Sequence, residues 1–499
     1  MADRPTEMQD LKEKTLRGGV ARVCAQAANF LVRILSLMVL ARLLDPKDFG
    51  LVGMVTAFTG VLSLFRDFGL SAATIQCEAV TDEQISTLFW INLWVGALLT
   101  ALSLALAPAI AKFYHEPRLL GVTAVLGVGF LFNAAGVQHG ALLQRQMRFT
   151  ALAVINTVAL IAGSSIAIAG AVVGYGYWSL VAMTVAFPVI TTIGSWLSAA
   201  WVPGMPRRRV GVRSMMRFGG TVTLNSLLGY VGTNFEKILL GRFWGADAIG
   251  IYGRAFQLIN VPTENLNATA GEVAFAALSR LQNDPVRLKS YFLKGYSLVL
   301  ALTLPITVAC ALFAPDIILT LLGPKWKEAV PIFRLLAPTI LAFAIGSPLW
   351  WLLYSTGRVG RSIKMSLVYT PVMIASYCIG LPHGPKGVAF AYSAWTMLWI
   401  FPAIAWAVHG TVISFRDMLL GMRWPLVSST VAGGVAFAVR HFYGQSIPTS
   451  PRLALEATVM VAAYVGMLLF VTGQKSFYLE LLRALKKPSP VKEKDLVSA

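Results

Sequence analysis

Fourteen apolar runs, each near or above the ~20 residues that a helix needs to cross a bilayer, dictate what this chain can fold into. Broken by charged residues, Gly or Pro, they lie near 18–44, 49–76, 85–112, 118–144, 150–173, 176–202, 214–243, 247–279, 291–323, 329–356, 362–382, 387–410, 418–440 and 453–473. Charged residues are 13% of the 499, against ~25% in soluble domains, and apolar residues are 56%. That leaves too little polar surface for a water-soluble globule, which excludes soluble enzymes, secreted disulfide scaffolds and disordered chains. The expected fold class is an all-α polytopic membrane protein of about 14 transmembrane helices. Cys24, Cys77, Cys310 and Cys378 show neither C-x-x-C spacing nor a nearby histidine pair, so neither a disulfide framework nor a zinc site is expected. The first apolar run is too long for a signal-peptide core and lacks a small-residue cleavage site, so it is expected to be retained.

Placing the N-terminus in the cytoplasm makes every even-numbered loop cytoplasmic. That side then collects 26 of the 42 Lys and Arg, the opposite side 10, and six fall within spans. The asymmetry follows the positive-inside rule and puts both termini in the cytoplasm. The net charge of +19 is therefore read as membrane orientation, with no nucleic-acid partner.

At an offset of 200 residues Ala41–Gly53 lies over Gly241–Gly253, with Arg, Gly and Gly in register. In each copy the segment joins the first and second spans of a six-span block, a plan of parallel repeats common in secondary transporters. The expected organisation is a cytoplasmic segment 1–17, an N-terminal lobe of helices 1–6 over 18–205, a C-terminal lobe of helices 7–12 over 206–410, helices 13–14 over 411–474, and a cytoplasmic tail 475–499. The stretch Pro203 to Arg217, with three consecutive arginines from Arg207, reads as the link between the lobes.

Polar residues inside spans carry the functional signal. In the first span Arg22, Gln26, Asn29, Arg33 and Ser36 recur every three or four residues, within an arc of about 80° and a length of ~21 Å. Buried arginines cost at least ~2.5 kcal/mol each by insertion scales, so the stripe should face water or paired acids, although Arg22 is near enough to the surface to snorkel. The seventh span repeats the pattern with Thr223, Ser226, Tyr230, Thr233 and Lys237, where the small hydroxyls also suit helix–helix contact. The eighth adds Arg254, Gln257 and Glu264, with Pro262 between. Arg22, Gln26, Asn29, Arg33, Lys237, Arg254 and Gln257 are the candidate substrate-binding residues, because guanidinium and ammonium groups suit a phosphate-bearing substrate. Glu236 and Glu264 are candidate ion-coupling acids for Na⁺ or H⁺, and a local structural ion pair explains either equally well. No P-loop, G-x-S-x-G or H-E-x-x-H is present, the five histidines are scattered, and no catalytic residue, metal site or cofactor is expected.

Phe49–Gly53, Arg66–Ser71 followed by Gln76, Ala141–Phe149, Leu239–Arg242, Ile249–Ala255, Ala277–Gln282 and Gly323–Trp326 resemble, in order, motifs of bacterial polysaccharide flippases. These belong to the multidrug/oligosaccharidyl-lipid/polysaccharide (MOP) exporter superfamily, in the branch of lipopolysaccharide, exopolysaccharide and teichuronic acid exporters. The resemblance runs from about residue 10 to 360. It implies two MATE-like six-helix lobes around a central cavity, two extra C-terminal helices, and a location in the bacterial plasma (inner) membrane. It also implies movement of an undecaprenyl-diphosphate-linked oligosaccharide between leaflets, beside a polysaccharide polymerase and glycosyltransferases. Similar proteins often carry an Asp where this chain has Glu236. Two rivals stand beside this reading: a multidrug/cation antiporter of the same superfamily, whose cavity should be acidic, and a membrane glycosyltransferase or polymerase, which should carry large external loops.

Overall fold

The computed structural model describes residues 26, 28–66, 71, 74, 80–207, 213–443 and 447–471, and within them the side chains of all but 213–229, 231, 262–270, 272–273, 276 and 443. Helices lie at each of the expected spans. They are α1 (28–43), α2 (Pro46–Leu64), α3 (Asp82–Tyr114), α4 (Leu119–Arg145), α5 (Phe149–Val173), α6 (Tyr177–Ala199) and the long α7 (Arg213–Arg280). There follow α8 (Pro285–Leu312), α9 (Ala314–Leu321), α10 (Ala329–Leu336), α11 (Pro338–Ser355), α12 (Val359–Gly380), α13 (Gly384–Val408), α14 (Phe415–Tyr443) and α15 (Thr449–Gly466). Among the described residues nine helical stretches are long and apolar enough to cross a membrane. The expected segment 1–17 and tail 475–499 lie outside the described residues.

Local chemistry sets the helix ends. Thr81 and Gln84 exchange hydrogen bonds in a capping box that opens α3, with Asp82 and Glu83 at its positive end. Asp284 caps α8 by accepting from the Arg287 amide at 3.0 Å, with Pro285 in the first turn. The two copies of the internal repeat both break where the alignment puts the same position. At Asp45 the chain leaves α1 in an extended conformation and restarts as α2. At Gly245, 200 residues on, α7 is interrupted by a residue at φ 81° and ψ −174°, a conformation that only glycine adopts without strain.

The chain packs as two compact units. The first comprises Met1–Arg254, Leu321–Ala329 and Met373–Val388. Its helices approach closely through small residues and hydroxyls that donate across to a neighbour: Thr100 donates to the Gly127 carbonyl at 2.9 Å and Thr192 to that of Phe132 at 2.8 Å. The loop after α6, read from sequence as the start of a linker, is stitched to α3. Trp90 Nε1 donates to the Gly204 carbonyl at 2.9 Å, the Gly204 amide donates to Ser86 Oγ at 3.0 Å, and Arg207 pairs with Glu83. On α4 His139, fully buried, stacks on Trp196 with ring centroids 4.3 Å apart and lies 3.2 Å from the Trp201 carbonyl.

The second unit comprises Ala255–Thr320, Val330–Val372 and Ala389–Ala499. Leu300, Leu352, Leu353, Ala407 and Met418 are fully enclosed at its centre. Here α14 and α15 are locked to α9 by a buried charge cluster. Asp316 and Glu456 are inaccessible to solvent; Arg440 reaches Asp316 at 2.9 Å and Glu456 at 3.6 Å, and Arg452 donates from Nε to Asp316 at 2.8 Å. Two acids and two guanidinia neutralise one another, the condition under which buried charge is tolerable. Tyr464 ties α15 to α8 with a hydrogen bond to the Ala301 carbonyl at 2.7 Å.

Within each unit the contacts between loops join odd-numbered loops to odd and even-numbered loops to even, as alternating crossings require. Lys325 pairs with Asp45 at 2.8 Å, Trp244 donates to the Leu381 carbonyl at 2.8 Å, and Arg242 meets His115 at 2.9 Å; all belong to odd-numbered loops or their edges. Even-numbered loops contribute Arg148 to the Ser198 carbonyl at 2.6 Å, Arg358 to that of His409 at 2.9 Å, and Lys289 to Asp417 at 2.6 Å. Lys289 and the Ser414 amide together draw the Asp417 carboxyl down to about 2.

Candidate functional site

The internal repeat becomes geometry at the two breaks. A Cβ placed on Gly50 would overlap the backbone carbonyl of Ala246, and one on Gly250 would overlap that of Pro46. The 200-residue offset takes Gly50 to Gly250 and Pro46 to Ala246, so each contact is the other with the two copies exchanged. Two equivalent helix starts therefore cross backbone to backbone about a local two-fold relation, inside the first unit. Glycine is required at both crossing points because any side chain would hold the helices apart. A third glycine, Gly60, makes room for Tyr230, whose hydroxyl donates to the Thr56 carbonyl of α2 at 3.0 Å.

The motif Gly323–Trp326 braces this crossing. Gly323 turns at φ 97°, and the buried Trp326 donates its indole N–H to the Ala41 carbonyl at 2.8 Å. The Trp326 ring meets Phe49 edge-on at 5.4 Å, and the Arg254 guanidinium sits 4.6 Å over the same Phe49 ring. Arg254 is half-buried as a residue, and this cation–π contact adds to its anchoring.

The remaining candidates are spread along α1 and α7. Arg33 is exposed on α1, Asn29 half-buried and Gln26 exposed nearer its start. Lys237 Nζ donates to Asn234 Oδ1 at 2.7 Å, one turn back on α7. Its neighbour Glu236 is 1% exposed, and neither carboxylate oxygen has a hydrogen-bond partner among the described residues. Gln257 is exposed on the second half of α7. Arg22 and the side chains of Glu264, Thr223 and Ser226 lie outside the described residues. At 1.5 Å per residue Lys237 stands ~12 Å and Arg254 ~14 Å along α7 from the break, while Arg33 is ~18 Å along α1 from Asp45. Three cations thus hang at roughly mid-bilayer depth from one pair of elbows.

Tyr230 belongs, by its spacing, to the polar stripe of the seventh span, yet its hydroxyl joins two helices. No pattern in the sequence points to this bond, nor to Gly50 and Gly250 as crossing points beyond their recurrence in the repeat.

Comparison with known proteins agrees with this architecture. The family described as "Polysaccharide biosynthesis protein" matches residues 39–331. The lipopolysaccharide biosynthesis protein WzxC of Escherichia coli (strain K12) is 26% identical over 377 residues, 74% of this chain and 76% of that protein. The succinoglycan biosynthesis transport protein ExoT of Rhizobium meliloti (strain 1021) is 23% identical over 488 residues, 94% of this chain and 95% of its own length. The lipid II flippase MurJ, in an inward closed conformation, superposes with a TM-score of 0.73 at 12% identity, covering 94% of this chain and all of the other, a likeness of fold. A matched segment of this extent settles membership: the chain is a multi-pass membrane protein of the polysaccharide biosynthesis protein family.

Proposed function

We propose that this protein carries an undecaprenyl-diphosphate-linked oligosaccharide from the inner to the outer leaflet of a bacterial plasma membrane, with both termini cytoplasmic. The observation that carries the reading is the two-fold crossing at Gly50 and Gly250, with Arg254 beside it. A crossing of equivalent helix starts is the sort of joint about which repeats exchange access, and the cations hung from it suit a diphosphate. The names of WzxC, ExoT and MurJ support a lipid-linked sugar as cargo. An antiporter for cationic drugs needs an acidic binding surface, whereas Arg33, Lys237 and Arg254 give this one the opposite sign.

Orientation is tested by single-cysteine labelling in intact cells. An impermeant reagent is expected to reach cysteines at Lys325 and Lys386 and to miss those at Arg208 and Arg361. The reverse pattern inverts the map.

Transport is tested in reconstituted vesicles holding a lipid-linked oligosaccharide, with Na⁺ or proton gradients imposed and then collapsed. Flipping is expected to depend on one gradient, and Glu236→Gln to remove that dependence, since a buried carboxylate with no hydrogen-bond partner among the described residues suits ion uptake. Glu264 is the alternative coupling acid. Absence of flipping sinks the main reading; gradient-dependent flipping that survives Glu236→Gln removes that residue from coupling.

A further inference from the structure

The second unit contains a cavity of about 160 Å³ lined by α11, α12 and α13. Phe343, Leu349, Trp350, Tyr369, Trp399 and Ala403 supply much of its wall. The aromatic side is firmly set, with Tyr369 and Trp399 centroids 5.6 Å apart and Trp395 stacked on Tyr369 at 6.2 Å. Part of the space exists because Gly346 has no side chain, and a Cβ added there would meet nothing within 4 Å. The volume is close to that of cavities known to hold a benzene-sized apolar guest.

The lining decides among occupants. Its polar side-chain groups are the hydroxyls of Ser347, Ser366, Thr396 and Tyr369 and the indole N–H groups of Trp350 and Trp399, with no charged side chain and no amide side chain. Thr396 already donates to the Tyr392 carbonyl at 2.6 Å. Water needs two to four polar partners, and this wall offers few. A pyranose ring fits by size and stacks on tryptophan, but most of its hydroxyls would be buried without partners, which costs more than the stacking returns. A hydrocarbon segment leaves nothing unsatisfied. The three helices lie in apolar spans, and Ile363, Leu367 and Leu398, next to the lining on α12 and α13, are exposed apolar side chains of the kind that meets lipid.

The geometry points to a binding site for the end of a membrane lipid's hydrocarbon chain, whether isoprenoid or acyl. The site does not depend on the substrate proposed above, and its readout is labelling, not transport. The test uses purified protein in lipid nanodiscs with two probes: a polyprenyl phosphate with a diazirine on its last isoprene, and a phosphatidylethanolamine with a diazirine at one acyl end. After irradiation, adducts mapped by mass spectrometry are expected on Trp350, Tyr369 or Trp399. The probe that gives them identifies the source of the chain. Gly346→Phe, whose ring fills the cavity, is expected to cut the adducts at least tenfold, while Gly346→Ala leaves them. Gly346→Leu replaces the Phe variant if that one fails to fold. Two results overturn the assignment: no adduct in the cavity from either probe while both label the outer surface, or undiminished adducts in a folded, cavity-filled variant.

Discussion

Gly50→Val and Gly250→Val are each expected to reduce flipping to background and to lower the thermal midpoint of the purified protein, while Gly253→Ala changes neither. The built Cβ at Gly50 and Gly250 falls on backbone atoms, which cannot rotate away as a side chain can, whereas nothing stands within 4 Å of one at Gly253. Overpacking costs ~1–3 kcal/mol, and a backbone clash belongs at the top of that range or above it. The two-fold relation adds a sharper expectation. Either valine forces the same two helices apart, so once one is in place the second meets a crossing already opened. The double variant should lose less than the sum of the singles by more than ~0.5 kcal/mol, the scale at which coupled sites depart from additivity. Strict additivity would mean that the two contacts are separate packing details. Full activity of either valine variant would mean that the crossing is not a working joint.

The two glycines also show how far the sequence could be read. The spans are legible because lipid leaves the backbone no partner outside itself, so every crossing needs a long apolar run. Both breaks are legible because the repeat makes the same turn twice with different chemistry, an Asp45 helix start in one copy and a left-handed Gly245 in the other. What each face meets is another matter. Periodicity shows that Tyr230, Thr233 and Lys237 share one side of a helix, but it does not show that Tyr230 touches α2 while Lys237 turns to Asn234. Asp316 and Arg452 are 136 residues apart, and no local pattern joins them. The meaning of Gly346 lies in the missing atom, which only the surrounding helices define.

Arg254→Ala and Arg33→Ala are expected to weaken binding of a polyprenyl diphosphate to the purified protein by ~10- to 100-fold each, since a hydrogen bond to a charged group is worth ~1.5–3 kcal/mol. Protein abundance in the membrane should stay near normal, because Arg33 is exposed and Arg254 only half-buried. Lysine at either position should restore part of the loss: it keeps the charge but cannot grip two phosphate oxygens in one plane. Arg254 needs a control, because its guanidinium lies over the Phe49 ring and Phe49 in turn packs on Trp326 at the brace of the crossing. Phe49→Leu removes the cation–π contact, worth ~0.5–2 kcal/mol, and leaves the charge in place. If Arg254 serves the phosphates, Phe49→Leu is much the milder change and Arg254→Lys recovers binding. Should Phe49→Leu instead cost as much as Arg254→Ala, with the thermal midpoint falling in both, Arg254 is a strut of the elbow and the substrate's charge is met by Arg33 and Lys237. Normal binding by Arg33→Ala would remove the first helix from the site altogether.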